Sequence, residues 1–247
     1  MPSTKKRSRK AAPLHILSID VGGTGLKAAI VDLDGRLLTD RVRIPTPSPS
    51  PPAVMLDAIA TLVAALPVHH RIAAGFPGVV RNGRVITAPH FGTKRWAGFE
   101  FAESLSHRLG GACRLLNDAE MQGLAAIQGN GLELMLTLGT GAGTGLFRDG
   151  EIMPHMELAH HPVHNDKTYD EYVGDKEMKR IGKKHWNRRI AKVIDILSAL
   201  LNFDHMFIGG GNSRHIAFRL PKSVTLVPND AGIEGGGMLW QRIVRAG

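Results

Sequence analysis

Four histidines and one glutamate lie within ten residues of this chain, in the stretch HMELAHHPVH at 155–164. Imidazole is the commonest metal ligand in proteins and also moves protons readily near neutral pH. The stretch therefore suggests a metal site, an acid or base catalyst, or an exposed polar loop. Cys113 is the only cysteine of the sequence, so the chain can form neither an intrachain disulfide nor a zinc site built from several cysteines.

Three glycine-rich turns each follow an apolar stretch with the pattern of a buried strand. They are VGGTG at 21–25, GTGAG at 139–143 and GGG at 209–211. A turn without side chains lets backbone N–H groups approach a phosphate closely. One such turn is ordinary hairpin chemistry, but three of them together predict the walls of a single phosphate or nucleotide cleft.

The first of these turns is not a P-loop, although it contains glycines and Lys27. The spacing G-x-x-x-x-G-K-[ST] is absent, and the residues after Gly25 alternate as a strand does, whereas a P-loop opens a helix. Asp20 ends the preceding strand, where a carboxylate can hold Mg²⁺ through water or face a hydroxyl near the transferred phosphate. We expect Asp20 and this turn to serve phosphate binding.

The elements that position these residues follow from periodicity and turn signals. Strand patterns occupy 14–20, 26–33, 36–44, 71–76, 113–118, both sides of the turn at 139–143, and 205–209. Helical patterns occupy 53–66, 98–109, 119–129, the stretch after 176 and the end of the chain. Asn82-Gly83 predicts a hairpin turn. Strands that alternate with helices indicate an α/β protein.

The order of the motifs resembles that of a known family. DVGGTGLKAAIVD, GFPGVV, LNDAEMQGLAA, LGTGAGTG, ELAHH and IGGGNS occur in the order of the ROK sugar kinases, within the actin-like ATPase superfamily. The resemblance extends from Leu14 to Trp240. GKKHWNRR and NDAGIEGGGMLW resemble the polyphosphate glucokinase branch, whose members phosphorylate glucose from inorganic polyphosphate and sometimes ATP. It implies a two-lobed α/β fold with ribonuclease H-like mixed sheets and an interlobe cleft.

The resemblance also implies roles for single residues. Asp118 would be the general base that takes the proton of the sugar 6-hydroxyl, in a reaction where proteins mainly position groups and compensate charge. Asn117 would hold a sugar hydroxyl, and it also suits the N-cap of the next helix. Mg²⁺ would lie near Asp20. The phosphate-binding residues would be Asp20, Gly22, Gly23, Thr24, Lys27, Gly139, Thr140, Gly141, Gly209, Gly210 and Gly211.

The histidine-rich stretch matches the family's E-x-G-H motif through Glu157 and His160, which would bind sugar hydroxyls, with Ala159 in place of the glycine. Zinc-bearing members complete a metal site with downstream cysteines, but HNDKTYDEYVG at 164–174 contains none. The stretch therefore resembles a sugar-binding loop without structural zinc. We interpret the remaining histidines as surface or packing residues: His155, His161 and His164.

Three further positions bear on the sugar. Gly78, in GFPG, would let the sugar lie close to the backbone. Alignment of TYDEY on its second tyrosine selects Asp170 as the acidic sugar ligand and leaves its neighbour Glu171 open. His90 stands where the family commonly has an asparagine that contacts the sugar. Glucose and mannose therefore both remain possible acceptors.

Positive charge is concentrated in two clusters of a chain with 31 Lys and Arg, 22 Asp and Glu, and a formal charge of +9. One is the tail at 5–10, for which a solvated, disordered arm is the simpler interpretation. The other contains Lys183, Lys184, Arg188 and Arg189 around a helix start. Charge and free backbone donors there would suit a polyanion, so we expect polyphosphate binding, with a solvated face as the alternative.

The predicted organisation is a basic tail at 1–13, a first lobe at 14–117, a second lobe at 118–230 and a helix at 231–247 that returns to the first lobe. No stretch approaches the roughly 20 apolar residues of a membrane span, and no signal-peptide core follows the N-terminus. We therefore expect a cytoplasmic enzyme without membrane or specific nucleic-acid partners, and a homodimer, as is common among similar proteins.

Three alternative functions compete with a kinase that uses polyphosphate, ATP or both. An ATP-only hexose kinase would share every motif except the basic cluster. A ROK-type transcriptional repressor needs an N-terminal helix-turn-helix, for which the 13 residues before Leu14 are too few. A non-catalytic sugar-binding module would not need Asp118 together with three phosphate turns.

Overall fold

The structure is a computed structural model that describes residues 14–228 and 231–241. The predicted basic tail at 1–13 and the end of the predicted last helix, 242–247, lie outside the described residues. Within the part described, no helix is both long and apolar enough to cross a membrane.

Strands and helices are numbered separately, each in chain order. The strands are β1 Ile16–Val21, β2 Gly25–Val31, β3 Val42–Pro45, β4 Arg71–Phe76, β5 Val80–Arg81, β6 Arg84–Val85, β7 Ala112–Asn117, β8 Leu132–Leu138, β9 Ala142–Arg148, β10 Glu151–Ile152, β11 Pro162–His164, β12 Lys167–Thr168, β13 His205–Gly209 and β14 Val224–Leu226. The helices are α1 Pro52–Val63, α2 Thr93–Trp96, α3 Phe101–Leu109, α4 Asp118–Ala126, α5 Tyr169–Val173, α6 Asp175–Leu201 and α7 Ala231–Gln241.

Two five-stranded mixed sheets share one topology. The first has the order β3-β2-β1-β4-β7 and the second the order β10-β9-β8-β13-β14. In each, three antiparallel strands are followed by two that run parallel to the central strand. The central strands are apolar on both faces, β1 being ILSIDV, because helices cover both sides of the sheet. The predicted mixed sheets are confirmed.

Helices form the outer layers and also a layer between the sheets. On the outer side of the first sheet, α1 and α3 bury Ile59 and Phe101 around Trp96. On the outer side of the second sheet, α6 buries Trp186 and Ile190. Between the sheets lie α4 and α7, which share a core with residues from β1, β2, β8 and β13. The site residues at the strand ends are therefore held between two packed lobes.

Close packing of α7 depends on consecutive glycines. A Cβ on Gly235 would overlap the carbonyl oxygen of Met121 in α4, and one on Gly236 would overlap the hydroxyl of Ser18 in β1. That hydroxyl donates to the carbonyl oxygen of Ile233 at 2.6 Å. Trp240 is held by the guanidinium of Arg114, which lies 4.2 Å from its ring centroid. Residues from the end of the described chain thus complete the first lobe.

Three boundaries differ from the sequence-based prediction. The strand expected over 36–44 forms only from Val42, because Leu37 makes a single bridge and is 37% exposed, with no layer above it. The helix expected from residue 98 begins at Phe101, since Gly98 has φ of 80°. Gly182, with φ of 79° and ψ of 155°, interrupts α6, so that Lys183 opens a second helical segment.

Candidate active site

The first two glycine turns face each other across the cleft between the lobes. The turn between β1 and β2 is closed by Gly22 N–H, which donates to Gly25 O at 3.1 Å. A Cβ on Gly23 would lie 3.2 Å from Thr140 Oγ1, in the turn between β8 and β9. The backbone of the first turn therefore lies close to the Thr140 side chain of the second turn.

The third glycine turn packs directly on the second. Gly210 has φ of 82°, and Asn212 donates to Leu138 O through its backbone at 2.9 Å and to Gly139 O through its side chain at 3.0 Å. Gly210 and Gly211 line the cleft, whereas Gly209 is buried at the end of β13, where a Cβ would meet Met135 at 2.7 Å. Gly209 thus serves packing.

A cavity of about 510 Å³ occupies the cleft, a size typical of small-molecule sites. It brings together most of the residues singled out in the sequence: Asp20, Gly22, Gly23, Thr24, Lys27, Gly78, His90, Asn117, Asp118, Gly139, Thr140, Gly141, Glu157, His160, Asp170, Gly210 and Gly211. It does not include Gly209, Lys183, Lys184, Arg188 or Arg189.

Asp118 faces this cavity as the first residue of α4, directly after β7. Asn117 is the helix N-cap, as predicted, and accepts from the backbone N–H groups of Ala119 and Glu120. Enclosure by protein raises the pKa of Asp118 to about 7, and the negative charges of Asp20 and Glu157 add to this against a hydrogen bond from Ala119 N–H. A carboxylate with such a pKa accepts a proton readily near neutral pH.

The side chain of Asn117 is largely used within the protein. Its amide nitrogen donates to Gly78 O at 3.2 Å and lies 3.5 Å from Phe76 O. Because the contact with Phe76 O is long, the second hydrogen of this amide group remains available to a ligand. Gly78 has a packing role as well, because a Cβ there would overlap the carbonyl oxygen of Thr87.

Asp20 and Lys27 form an ion pair at the inner end of the cavity. They are opposite each other in the β1–β2 register, and Lys27 Nζ lies 2.8 Å from Asp20 Oδ2. Lys27 therefore partly neutralises the carboxylate and leaves its other oxygen for a further contact. One carboxylate beside a phosphate pocket suits Mg²⁺, which is commonly held by one or two carboxylates, substrate phosphates and water.

Acidic and imidazole side chains also line the cavity, next to the second glycine turn. Asp170 Oδ1 accepts from Ala142 N–H at 2.6 Å. Burial raises the pKa of Asp170, while that hydrogen bond and the nearby His90 and His160 oppose the increase. Glu171 instead closes the capping box of α5 with Thr168 and is exposed. Of the two acidic candidates, Asp170 is the one in the cavity.

The sequence leaves His155 as a surface or packing residue, and the structure excludes the surface position because the side chain is buried. Its side chain is only 10% exposed, with Nδ1 2.7 Å from Glu120 Oε1 and Nε2 3.6 Å from Glu157 Oε2. Burial disfavours the charged imidazole, but hydrogen bonding and the charges of both carboxylates outweigh it and raise the pKa of His155 to about 9. It is therefore a buried cation between two carboxylates.

The other histidines of the stretch are exposed. His164 Nδ1 lies 3.2 Å from Lys192 Nζ, and the ring of His161 faces Tyr169. Within 14–228 and 231–241, no group of three or more His, Cys, Asp and Glu side chains is arranged to hold a metal ion. No sequence pattern distinguishes His155 from its neighbours, because its main partner, Glu120, lies 35 positions earlier.

The four predicted polyphosphate ligands have different surroundings. Arg189 donates to Glu177 at 2.6 Å and to Tyr172 O at 3.0 Å, and its guanidinium lies over the Tyr172 ring. It therefore anchors α6 to α5. Lys183, Lys184 and Arg188 are exposed. Burial lowers the pKa of His215, and the positive charges of Lys183 and Arg214 contribute, so both cations lie near His215.

The cations that line the cavity, besides Lys27, were not singled out in the sequence. They are Arg43 from β3, Lys179 from the first segment of α6, and Arg214 after β13. Arg43 lies over the first glycine turn, where a Cβ on Gly25 would meet its Nε at 2.9 Å. Exposed charges occur throughout a surface, and only the folded structure shows which of them border a cleft.

Comparison with known proteins gives a consistent result. A sequence model of the ROK family matches residues 16–166. The chain is 31% identical over 253 residues to a polyphosphate glucokinase of Mycobacterium tuberculosis (strain H37Rv), covering 96% of this chain and 95% of that protein. It is 30% identical over 236 residues to the polyphosphate glucokinase of Mycobacterium leprae, covering 89% of this chain and 72% of that protein.

Solved structures agree with the fold. An inorganic polyphosphate/ATP-glucomannokinase from Arthrobacter has a TM-score of 0.83 at 29% identity, over 93% of this chain and all (100%) of that chain. A ROK family glucokinase from Streptomyces griseus, in complex with glucose and AMPPNP, has a TM-score of 0.75 at 20% identity, over 91% and 98% of the two chains. The predicted two-lobed, actin-like α/β fold is confirmed.

Proposed function

The chain belongs to the ROK family and is a sugar kinase, and from that premise we propose that it transfers a phosphoryl group to the 6-hydroxyl of glucose. The observation that carries the proposal is Asp118, whose pKa of about 7 and position facing the cavity suit a general base. Mannose is the second acceptor to test, since the Arthrobacter neighbour is named a glucomannokinase.

In the proposed reaction, the 6-hydroxyl oxygen attacks the terminal phosphorus of the donor. A new O–P bond forms while the bond to the bridging oxygen breaks, and the hydroxyl proton moves to the Asp118 carboxylate. The electron pair of the broken bond stays on the bridging oxygen, which leaves as part of a donor that is one phosphate shorter. Proton removal at the attacking oxygen is the one chemical task left to a protein side chain in such a transfer.

The phosphates of the donor would lie between the glycine turns. Backbone N–H groups of Gly23, Gly141 and Gly211, one in each turn, offer neutral donors, and Lys27 offers a positive charge beside Asp20. Mg²⁺, held by Asp20 with phosphate oxygens and water, would neutralise phosphate charge. Side chains and backbone thus compensate charge where the donor chain enters the cleft.

The sugar would lie against the acidic and imidazole side chains of the cavity. Glu157, Asp170 and His160 can accept or donate hydrogen bonds to its hydroxyls, and all three line the cavity. Asn117 and Gly78 lie where β4 and β7 end, next to Asp118. His90 can donate to a further hydroxyl. This arrangement sets the acceptor hydroxyl between Asp118 and the phosphate turns.

We infer that inorganic polyphosphate, ATP or both supply the phosphoryl group. Polyphosphate carries about one charge per phosphate and has no base to recognise, so cations must guide it. Arg43, Lys179 and Arg214 border the cavity, and Lys183 and Arg214 both lie near His215. Lys184 and Arg188 extend the positive surface along α6.

The test is formation of glucose 6-phosphate by the purified protein with ATP and, separately, with nucleotide-free polyphosphate. Product with both donors, or with polyphosphate alone, supports the proposal. Product with ATP alone identifies an ATP-dependent hexose kinase. No product with either donor, with glucose or with mannose, would refute the proposed function.

A further inference from the structure

His155 joins two parts of the site that are distant in sequence. Glu120 belongs to the first turn of α4, the helix that Asp118 begins, whereas Glu157 belongs to the loop before Leu158–His160. The imidazole lies between them, 2.7 Å from Glu120 Oε1 and 3.6 Å from Glu157 Oε2. Displacement of either carboxylate would therefore also move the other, because both lie against the same imidazole ring.

Glu120 uses both carboxylate oxygens. While Oε1 contacts His155, Oε2 accepts from the backbone N–H of Asn117 at 3.3 Å. This second bond completes the capping box of α4. The contacts thus run without interruption from the backbone at Asn117, through Glu120 and His155, to Glu157.

The His155 Nε2 atom is buried and has no hydrogen-bond partner within the residues described. Its separation from Glu157 is longer than a hydrogen bond, so Glu157 keeps its acceptor positions available. Burial opposes ionisation of Glu157, but the nearby positive charges of His155 and His160 outweigh it and lower the pKa of Glu157. A cation here also relieves repulsion between Glu120 and Glu157.

We propose that His155 is a positioning residue that holds Glu157 in the orientation required for sugar binding and ties its loop, through Glu120, to the helix that carries Asp118. The proposal rests on the proposed sugar-kinase function. His155 need not touch the sugar, because its effect passes through Glu157.

The first experiment compares His155→Asn with His161→Asn, an exposed histidine of the same stretch. For His155→Asn, the Kd and KM for glucose should rise roughly 10-fold or more, because a charged contact to Glu157 is lost. The KM for the donor and the kcat at saturating glucose should change by only about 2-fold. His161→Asn should match the unmodified protein. Unchanged glucose binding in a folded His155→Asn protein overturns the proposal.

The second experiment tests the connection through Glu120. Glu120→Gln alone should weaken glucose binding, but the double variant Glu120→Gln/His155→Asn should be no weaker than His155→Asn, because both changes interrupt one path. Additive losses would mean that Glu120 acts independently, and the proposed tie would be refuted. His155→Lys keeps a positive charge and should recover part of the glucose affinity that His155→Asn loses.

A pH series separates positioning from a purely structural role. The charged groups that face His155 are Glu120 from α4 and Glu157 from its own loop. In the unmodified protein, glucose affinity should fall as pH rises through about 9, where His155 loses its proton. His155→Asn should lack this alkaline decrease. If the variant instead melts earlier, shows normal glucose affinity and keeps the decrease, the role is structural.

These outcomes are distinct from failure of the proposed function. An unmodified protein that phosphorylates no sugar with either donor would refute the function itself. An active unmodified protein with the glucose affinity unchanged in His155→Asn would refute only the role of His155.

Discussion

Asp118 owes its position to a strand end and its proton affinity to its surroundings. β7 places Asp118 at the cavity, the Asn117 cap fixes the first turn of α4, and burial and nearby carboxylates keep the pKa of Asp118 at about 7.

Asp118→Asn preserves the shape of the side chain and removes its basicity. Turnover should fall by roughly 10²-fold or more, while glucose binding is largely kept. The comparison uses steady-state turnover and calorimetric glucose binding, with the exposed Asp195→Asn as control; near-native turnover would exclude Asp118 as the base.

The raised pKa of Asp118 also predicts a pH dependence. The base must be ionised to accept a proton, so kcat/KM for glucose should increase as pH rises through about 7 and level off above it. Neutralising a neighbouring charge should move this limb: Asp20→Asn removes negative charge beside Asp118 and should shift it to lower pH. A limb that stays in place would show that Asp20 does not influence the base.

At the scale of elements, the interruption of α6 at Gly182 separates two sets of cations. Lys179 precedes it and borders the cavity, whereas Lys184 and Arg188 follow it and lie farther along the exposed surface. Under the proposed function, we expect ATP, with three phosphates, to contact chiefly the first set. We expect long polyphosphate to contact both sets, with contacts that weaken as salt increases.

We therefore expect Lys184→Gln/Arg188→Gln to raise the KM for long polyphosphate by roughly 10-fold and that for ATP by less than about 2-fold, and to flatten the salt dependence of the former. Lys179→Gln/Arg214→Gln should affect both donors. Arg189 is left unchanged because it holds Glu177 and Tyr172. Lys192→Gln, on the same helix, is the control for loss of one exposed positive charge. Equal effects of Lys184→Gln/Arg188→Gln on the two donors would contradict an extended polyphosphate path.

Helix α7 gives a prediction about stability. Gly235→Ala would force a methyl group onto the carbonyl oxygen of Met121, and overpacking of this kind costs about 1–3 kcal/mol. For a chain of this length, the Tm should then fall by roughly 2–12 °C. Gly232→Ala in the same helix meets nothing closer than Asp20 at 3.7 Å, so its Tm should be unchanged or higher. Calorimetry of both variants tests this; equal Tm values would mean that α7 shifts without cost.

At the scale of the whole molecule, the fold could be predicted because its signals are local. Strand, glycine turn and strand recur in both lobes, and Asn82-Gly83 forms the expected hairpin between β5 and β6. The two sheets share a topology, but the sequence shows no repeat. A common topology requires only that apolar residues and turns occur at corresponding positions, and not that the residues themselves be identical. The sequence predicts too long a strand at 36–44, because its alternation of apolar and polar residues does not show that Leu37 is left exposed in the fold.

Much of the site could be predicted for the same reason. Asp118, Glu157 and Asp170 lie in motifs, and the cavity contains all three. His155, Arg43 and Arg214 could not be identified, because their significance depends on partners and surfaces that only folding brings near. The decisive neighbour of His155 is Glu120 in α4, which β8 and β9 separate from His155 along the sequence. Sequence motifs thus locate a site, while its supporting contacts require the three-dimensional structure.

The packing of α7 against β1 also has a consequence for protein synthesis. A ribosome makes β1 more than two hundred residues before α7, and domains emerging from it begin to fold as they appear. Until Gly236 arrives beside Ser18, the inner face of the first sheet lacks its cover. We therefore expect apolar surface on the inner face of the nascent first lobe to remain accessible to chaperones until translation reaches the end of the second lobe.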